Sequence, residues 1–516
     1  MNLNKNTSHP IIRFYLPTAA FVVGGSVMAV EMTASRVLAP HFGASFFVWT
    51  ALIVTVLLSM SLGYWFGGRF ATQAVSGLKP LGLLLCSSAI LLLIGLWGSR
   101  DLAGSLPALL SNFGGAAAAL FLGSLVMSVA VFALPVFILA MSSPLMMKLW
   151  SAEMSDVGGA AGRYFAVSTG GSVIGTLLPS LVLVPQFGVR ITMMSIAGVL
   201  AILGLLVIRG KMRAVSLAIL IVVFFALLIQ GYDRPERVVY EKESPYQLIR
   251  VEEYGSDRYL IFNDGSGTQS VWFPTRQRTD MYYDHLAAVP LLLNETDQHW
   301  RTAVLGLAGG SLIRQYLTTY PKDLTPDIVG VEVDPSVIDT ARRFFAIDEL
   351  PIQIVNEDGR TFLARTQDPF DVIIIDAYST QLYIPPHMVT EEFFSSVRDN
   401  LTVGGLTAMN VNAPQEDSAL LQAITNTAAS VFPFVYMTKA GSTWNWLVVA
   451  SDQPLDYLSA ASRLPENYGD VAESLLAVRR IMFDSGQQVL TDDRAPIELM
   501  TDKMIIADAL RYMGER

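Results

Sequence analysis

Residues 302–311 read Thr-Ala-Val-Leu-Gly-Leu-Ala-Gly-Gly-Ser. A short apolar strand, Thr302 to Leu305, runs into a turn carrying Gly306, Gly309 and Gly310, and a helical pattern opens at Leu312. Glycine lets backbone approach a ligand closely, and the helix that follows presents free N–H groups to it. Downstream, Asp327-Ile-Val-Gly-Val-Glu332 is a second strand ending in an acid. Asp371-Val-Ile-Ile-Ile-Asp376 is another, and Leu406–Asn410 a later one. Strands alternating with helices predict a mostly parallel sheet. In such sheets ligands bind at the carboxyl ends of the strands, where Glu332, Asp358 and Asp376 all fall. An acid ending the second strand can accept hydrogen bonds from ribose hydroxyls. The plainer alternative is that Glu332 and Asp376 cap the helices after them.

Upstream, residues 240–272 alternate as short strands do, in Leu248-Ile249-Arg250-Val251 and again in Arg258–Phe262. Asn263-Asp264-Gly265 reads as a turn.

From Ile11 to Gln230 the composition changes to apolar runs separated by short polar loops. A bilayer core takes about 20 apolar helical residues per crossing. Seven runs meet this, at 12–35, 46–68, 79–98, 115–141, 161–184, 189–208 and 213–231. The first is expected to be retained rather than cleaved, because it is long and followed by further spans. Pro135 should kink the fourth, which should end at Ser142-Ser143-Pro144. Gly63, Gly67 and Gly68 in the second run, and Gly170, Gly171 and Gly175 in the fifth, read as packing seams. Glu31 and Arg36 read as an interfacial pair capping the first span. Basic residues concentrate in the N-terminus and alternate loops, at Lys5, Arg13, Arg69, Lys79, Lys148, Arg163, Arg209, Lys211 and Arg213. The other loops hold Arg36, Arg100 and Arg190. This bias puts the N-terminus in the cytoplasm, and seven crossings would put the C-terminal domain outside. The expected home is the inner (cytoplasmic) membrane.

Three domains follow: a multi-pass membrane domain at 1–231, a β region at 232–300 and a nucleoside-binding α/β domain at 301–516. A single cysteine, Cys86, excludes a disulfide framework, and five scattered histidines give no metal-ligand spacing. The net charge of −10 argues against nucleic acid as a partner.

With these residues in view, positions 244–410 resemble the spermidine synthase (polyamine aminopropyltransferase) family. Ser244-Pro-Tyr-Gln247, Asn263-Asp-Gly265 and Gln269 are similar to its N-terminal strand region. Val331-Glu332-Val-Asp334-Pro-Ser-Val-Ile338, Glu357-Asp358-Gly359 with Phe362-Leu363, and Asp371–Asp376 resemble its later segments in order. Thr390–Phe394 and Gly404-Gly405 follow. The membrane half resembles the membrane-fused members through Glu31, Arg36, Pro40, Gly43 and Gly162-Arg163-Tyr164. Thr491-Asp492-Asp493-Arg494-Ala495-Pro496-Ile497-Glu498 resembles them too. The implied fold is an α-helical membrane domain of about seven spans, a small β region and a Rossmann-like, methyltransferase-type α/β domain.

The resemblance implies that Glu332 binds the ribose of decarboxylated S-adenosylmethionine, S-adenosylmethionine or methylthioadenosine. It gives Asp358 and Gly359 the adenine side, Gln247, Gly306 and Gly310 the same pocket, and Asp376 the role of general base. The partners it implies are the lipid bilayer and a small-molecule amine acceptor, and a homodimer is compatible with it. Three family positions differ here, all on the acceptor side. An acid of the glycine-rich turn is Gly309. The family's Tyr-His-Glu falls on Tyr283-Asp284-His285, which puts Asp284 in place of the His. The second acid after Asp376 is Ser379. Tyr283, Asp284 and Ser379 are therefore the acceptor-side candidates, and an acceptor other than plain putrescine is expected. Tyr378 and Tyr383 shape that pocket or anchor its loop, and His285 and His387 read as packing or surface residues. A transporter with a nucleoside-sensing domain is the competing class, and a scaffold with a degenerate domain is another.

Overall fold

The computed structural model describes residues 10–42, 46–73, 77–110, 116–154, 157–229, 236–263, 267–293, 300–320, 326–378 and 382–514. The chain forms two compact units, Met1–Arg234 and Pro235–Arg516. The β region expected at 232–300 belongs to the second.

The first unit is all helical: α1 (Pro10–Phe42), α2 (Phe46–Gln73), α3 (Lys79–Leu110), α4 (Ala116–Ser128), α5 (Leu134–Met154), α6 (Val157–Leu178), α7 (Val184–Val207) and α8 (Lys211–Ile229). Among the described residues, six helices are long and apolar enough to cross a membrane. The fifth of these, Gly158–Val207, has 50 residues. That is about 75 Å of helix, more than twice the ~30 Å hydrocarbon core. It does not run straight. A Cβ on Gly171 would overlap the Phe21 carbonyl and one on Gly175 the Gly25 carbonyl, so α6 runs parallel to α1. On a continuous helix Leu203 would lie about 48 Å beyond Gly171. Yet the Tyr15 hydroxyl, before Phe21, donates to the Leu203 carbonyl at 2.9 Å. The chain therefore turns back, and Gly188, at φ +79° and ψ 168°, is the non-helical residue in between. Arg190 near the start of α7 reaches the Leu227 carbonyl near the end of α8. The beginning of α1 and the end of α8 thus sit at opposite ends of α7.

A five-residue π-helical turn, Val129–Ala133, precedes Pro135, as expected where a proline removes a helical donor. The helix does not stop at Ser142-Ser143-Pro144. It continues to Met154 with Pro144 inside it, and Ser142 turns its hydroxyl back to Leu139 at 2.6 Å. Glu31 and Arg36 lie within α1, which runs on to Phe42, and Arg36 falls in the last turn of its apolar stretch Phe14–Ala39.

The glycine seams are real at four positions. Gly171 and Gly175 meet α1, Gly63 meets the Phe137 carbonyl, and Gly67 meets Met141. Gly68 and Gly170 face open space. Gly171→Val is expected to destabilise the bundle by about 3 kcal/mol or prevent its assembly, while Gly170→Val is tolerated. Melting and monodispersity of the two variants in detergent check this.

The second unit opens with a four-stranded antiparallel sheet: β1 (Val238–Glu243), β2 (Leu248–Tyr254), β3 (Asp257–Phe262) and β4 (Thr268–Trp272). Helix α9 (Tyr282–Ala288) follows. The main sheet then begins with β5 (Arg301–Leu305), α10 (Ser311–Thr319), β6 (Asp327–Val331), α11 (Pro335–Phe344), β7 (Ile352–Val355) and α12 (Gly359–Arg365). It continues with β8 (Phe370–Ile375), α13 (Glu391–Asp399), β9 (Leu401–Asn412) and α14 (Ala419–Val431). The last elements are β10 (Phe434–Lys439), β11 (Asn445–Ser451), α15 (Tyr457–Ser462), α16 (Gly469–Leu476), β12 (Arg479–Ile481) and α17 (Ile497–Gly514).

The spatial order is β12-β10-β11-β9-β8-β5-β6-β7. Strands β9, β8, β5, β6 and β7 run parallel, and β11, β10 and β12 add antiparallel pairs. Past Asp327 and Asp371 the central strands β6 and β8 are apolar and buried, as suits a sheet covered on both faces. Helix starts are written locally. Asp334 caps α11 by accepting from Ser336 N, with Pro335 at the first position. Asp358 caps α12, and Thr390 caps α13. The small sheet is no free-standing domain: Ile249, Val251, Leu260 and Phe262 bury against Val337 and Phe345.

Candidate active site

The strand order reverses at β5. Its neighbour β6 leads outward on one side and β8 on the other, which opens a crevice at the carboxyl ends. A cavity of about 290 Å³ occupies that place. Gln247, Gly306, Glu332, Asp358, Gly359, Asp376 and Tyr283 all line it.

Gly306 follows β5 at φ +98°, and a Cβ there would collide with the Asp376 carbonyl. Only glycine lets the β5 and β8 ends approach this closely. Glu332 stands at the end of β6. Its Oε2 accepts from Ala308 N in the glycine-rich turn at 3.1 Å, and its Oε1 from Asp334 N at 3.0 Å. Burial pushes Glu332 up to about 7, against those backbone donors. Asp358 splits its carboxylate: Oδ1 accepts from Arg360 N and Thr361 N at the start of α12, while Oδ2 lies 3.0 Å from His387 Nε2. The His387 contact brings Asp358 down to about 2.

Asp376 looks into the cavity from deep in the domain. Tyr282 donates its hydroxyl to Oδ2 at 2.9 Å, and Asn410 Nδ2 donates to Oδ1 at 2.9 Å. Asn445 fixes Asn410 in turn, donating to its Oδ1 at 3.0 Å. Burial pushes Asp376 up to about 6, and these two donors hold it from rising further. A carboxylate poised near neutrality, with free lone pairs toward a cavity, can accept a proton from a bound amine.

Several expected positions fall elsewhere. Gly310 is not in the cavity wall. It begins α10 at φ +80°, and a Cβ there would face Ile347 and Leu350. Asp284 is fully buried and turned away. Its Oδ1 accepts from Thr279 N and Oγ1, and its Oδ2 from Asp280 N and Arg278 Nε. It orders the entry to α9 instead of facing a substrate. Tyr282 lies two positions earlier, a turn of about 200° around the helix, and it is Tyr282 that reaches Asp376. Ser379 lies outside the described residues. Gly309 is closed off: a Cβ there would stand 2.9 Å from both Ser270 Cβ and Oγ and 3.1 Å from Phe345. Ser270 is locked to Ser311 by a 2.7 Å hydroxyl pair. Tyr378 lines the cavity and donates to the Asn410 carbonyl, whereas Tyr383 bonds Asp502 on α17 and anchors its loop. His285 is buried against Ser474, and burial lowers its pKa. His387, read as a packing or surface residue, is exposed and also lines the cavity.

Tyr282, Asn410 and His387 are the site residues the sequence reading missed. A Tyr-Tyr pair at a helix start and an Asn late in a buried strand were the available signals.

A parallel sheet with this order and a crevice at its reversal defines a Rossmann-like, methyltransferase-type domain. More particularly, residues 280–454 match the family described as "Spermine/spermidine synthase domain". The chain is 32% identical over 302 residues to a "Probable polyamine aminopropyl transferase" of Bifidobacterium longum (strain NCC 2705), covering 53% of this chain and 66% of that relative. The chain therefore spans just under two thirds of that relative's length. It is 26% identical over 207 residues to a "Polyamine aminopropyltransferase" of Thermotoga maritima, covering 39% of this chain and 67% of that relative. Among solved structures it is similar to a probable spermidine synthase from Corynebacterium glutamicum ATCC 13032. There the identity is 18%, covering 50% of this chain and 97% of that one, with a TM-score of 0.39.

Proposed function

We propose that the protein is a membrane-bound aminopropyltransferase-type enzyme whose acceptor is an amine with one charged head group. The donor is decarboxylated S-adenosylmethionine or S-adenosylmethionine, bound with its ribose at Glu332 and its adenine toward Asp358. The acceptor nitrogen attacks the carbon next to the sulfonium. The C–S bond breaks, methylthioadenosine leaves, and Asp376 takes the proton from the nitrogen. The observation that carries this reading is the pair of neutral donors, Tyr282 and Asn410, holding Asp376 toward the cavity.

The acceptor class follows from where the carboxylates stand. Among the described lining residues, Glu332, Glu357 and Asp358 follow β6 and β7, and Asp376 alone follows β8. Tyr246, Phe262, Tyr282, Tyr283 and Tyr378 line the cavity with aromatic surface. A second ammonium on the acceptor would be desolvated without a counter-charge, which costs several kcal/mol. With the full-length protein in detergent, methylthioadenosine release is expected with n-butylamine at least as fast as with putrescine. Putrescine ahead by tenfold or more overturns the acceptor reading. Release with no amine at all overturns the transferase reading and favours a transporter that senses a nucleoside.

We further propose that Ile229 leaves the bundle at the outer face of the inner membrane. Two features support this: the opposite placement of the α1 start and α8 end, and the concentration of Lys and Arg on the N-terminal side. Alkaline phosphatase fused after Arg516 is expected to be active and green fluorescent protein dark. The reverse pattern inverts the orientation.

A further inference from the structure

The Thr491–Glu498 stretch has no part in the chemistry above, yet the structure ties it to the cavity rim. The chain enters it from Leu490 and leaves through Ile497, both fully buried. Thr491 and Arg494 exchange backbone hydrogen bonds of 3.2 and 2.9 Å, closing a tight turn that presents Asp492. Arg360 grips Asp492 in a two-pronged pair, Nη1 to Oδ1 and Nη2 to Oδ2, both 2.6 Å. Thr390 Oγ1 adds a bond to Oδ1 at 2.8 Å, and the Asp492 N–H donates to Glu392 at 3.0 Å. Such a pair fixes the plane as well as the position of both groups.

Arg360 passes this placement on. Its Nη1 also donates to the His387 carbonyl at 3.1 Å, and its backbone N–H donates to Asp358 Oδ1 at 3.1 Å. His387 then sets its ring against Asp358 Oδ2. With Oδ1 committed to the helix start, Oδ2 is the Asp358 oxygen left to meet a ligand. Its direction depends on where His387 stands. Asp358 and His387 line the cavity, while Asp492 does not.

We propose that Asp492 is a positioning residue for the base end of the nucleoside site: through Arg360 it holds His387 against Asp358, aiming Oδ2 at the exocyclic amine of an adenine. This rests on the nucleoside reading given above. An exposed ion pair contributes little to stability, so its removal tests placement rather than folding. A contact misplaced by about 1 Å loses much of its value.

The test is calorimetric titration of the full-length protein in detergent with methylthioadenosine and with methylthioinosine, in which a carbonyl replaces the amine. Wild type is expected to favour methylthioadenosine by ~30-fold. Asp492→Asn is expected to weaken it by ~10-fold and shrink that preference to a few-fold, with melting unchanged. Arg360→Lys is expected to do the same, since lysine cannot make the two-pronged pair. It decides the matter if Asp492→Asn fails to fold. Asp348→Asn, which breaks an exposed pair with Arg342, is the control and leaves both affinities alone. Retention of full affinity and base preference in Asp492→Asn overturns the proposal. A wild type that binds neither nucleoside overturns the nucleoside reading itself.

Discussion

Asp376→Asn is expected to lower turnover by about three orders of magnitude while methylthioadenosine still binds. The amide keeps the size of the carboxylate and a contact with Tyr282, but it cannot take a proton. General-base assistance is worth ~10²–10⁴ in rate. In the wild type the base works only when ionised. Activity is therefore expected to fall as pH drops through about 6, the level to which burial pushes Asp376. Stability moves the other way. The unfolded chain ionises this group near 3.8 and the folded one near about 6, so stability is lost as pH rises between the two. At pH 7 the Asn variant should be more stable than wild type by on the order of 2 kcal/mol, after allowance for water in the cavity. Below pH 3.8 the difference should vanish. A single-turnover pH profile and melting curves at pH 4 and 7 check both parts. Full activity in the Asn variant would exclude Asp376 as the base.

Glu332→Ala is expected to weaken methylthioadenosine by about 100-fold. Two hydroxyl donors on one carboxylate are each worth ~1.5–3 kcal/mol as charged hydrogen bonds. Part of the loss would come from the turn, because Ala308 N and Asp334 N lose their acceptor as well. Glu332→Gln keeps the shape and should lose only about tenfold. The pH dependence separates binding from structure. Burial holds Glu332 near about 7, and ribose donors favour its ionised form. Wild-type affinity should therefore fall as pH drops through 7, and the Gln variant should lose that slope. Calorimetry between pH 5.5 and 8.5 reads it directly.

The main sheet was legible because its first strands are short apolar runs closed by a glycine turn or an acid. Thr302–Leu305, Asp327–Glu332 and Asp371–Asp376 became β5, β6 and β8 with shifts of one residue. The proposed nucleoside side was legible for the same reason, since Glu332 and Asp358 sit where strands end. The acceptor side was not. Whether Asp284 or Tyr282 meets Asp376 depends on the rotation of a seven-residue helix, which pattern alone does not set. Asn410 and His387 act through partners distant in sequence, Asn445 and Asp358, so no local spacing reveals them. In the membrane half the apolar runs were plain. The break expected between 184 and 189 falls at Gly188, and the meeting of Tyr15 with Leu203 shows that the chain doubles back there.

The closed pocket around Gly309 bears on how this site could have changed over time. An aspartate there has no room unless Ser270 gives way, and Ser270 is pinned by Ser311 and, through it, by Val271. Gly309→Asp alone should cost folding before it gains any new contact. An acid at position 309 would need at least two substitutions together, the second at Ser270 or Ser311. Each is unfavourable or idle without the other. Position 309 is thus coupled to Ser270 and Ser311, and substitutions at the three are not independent.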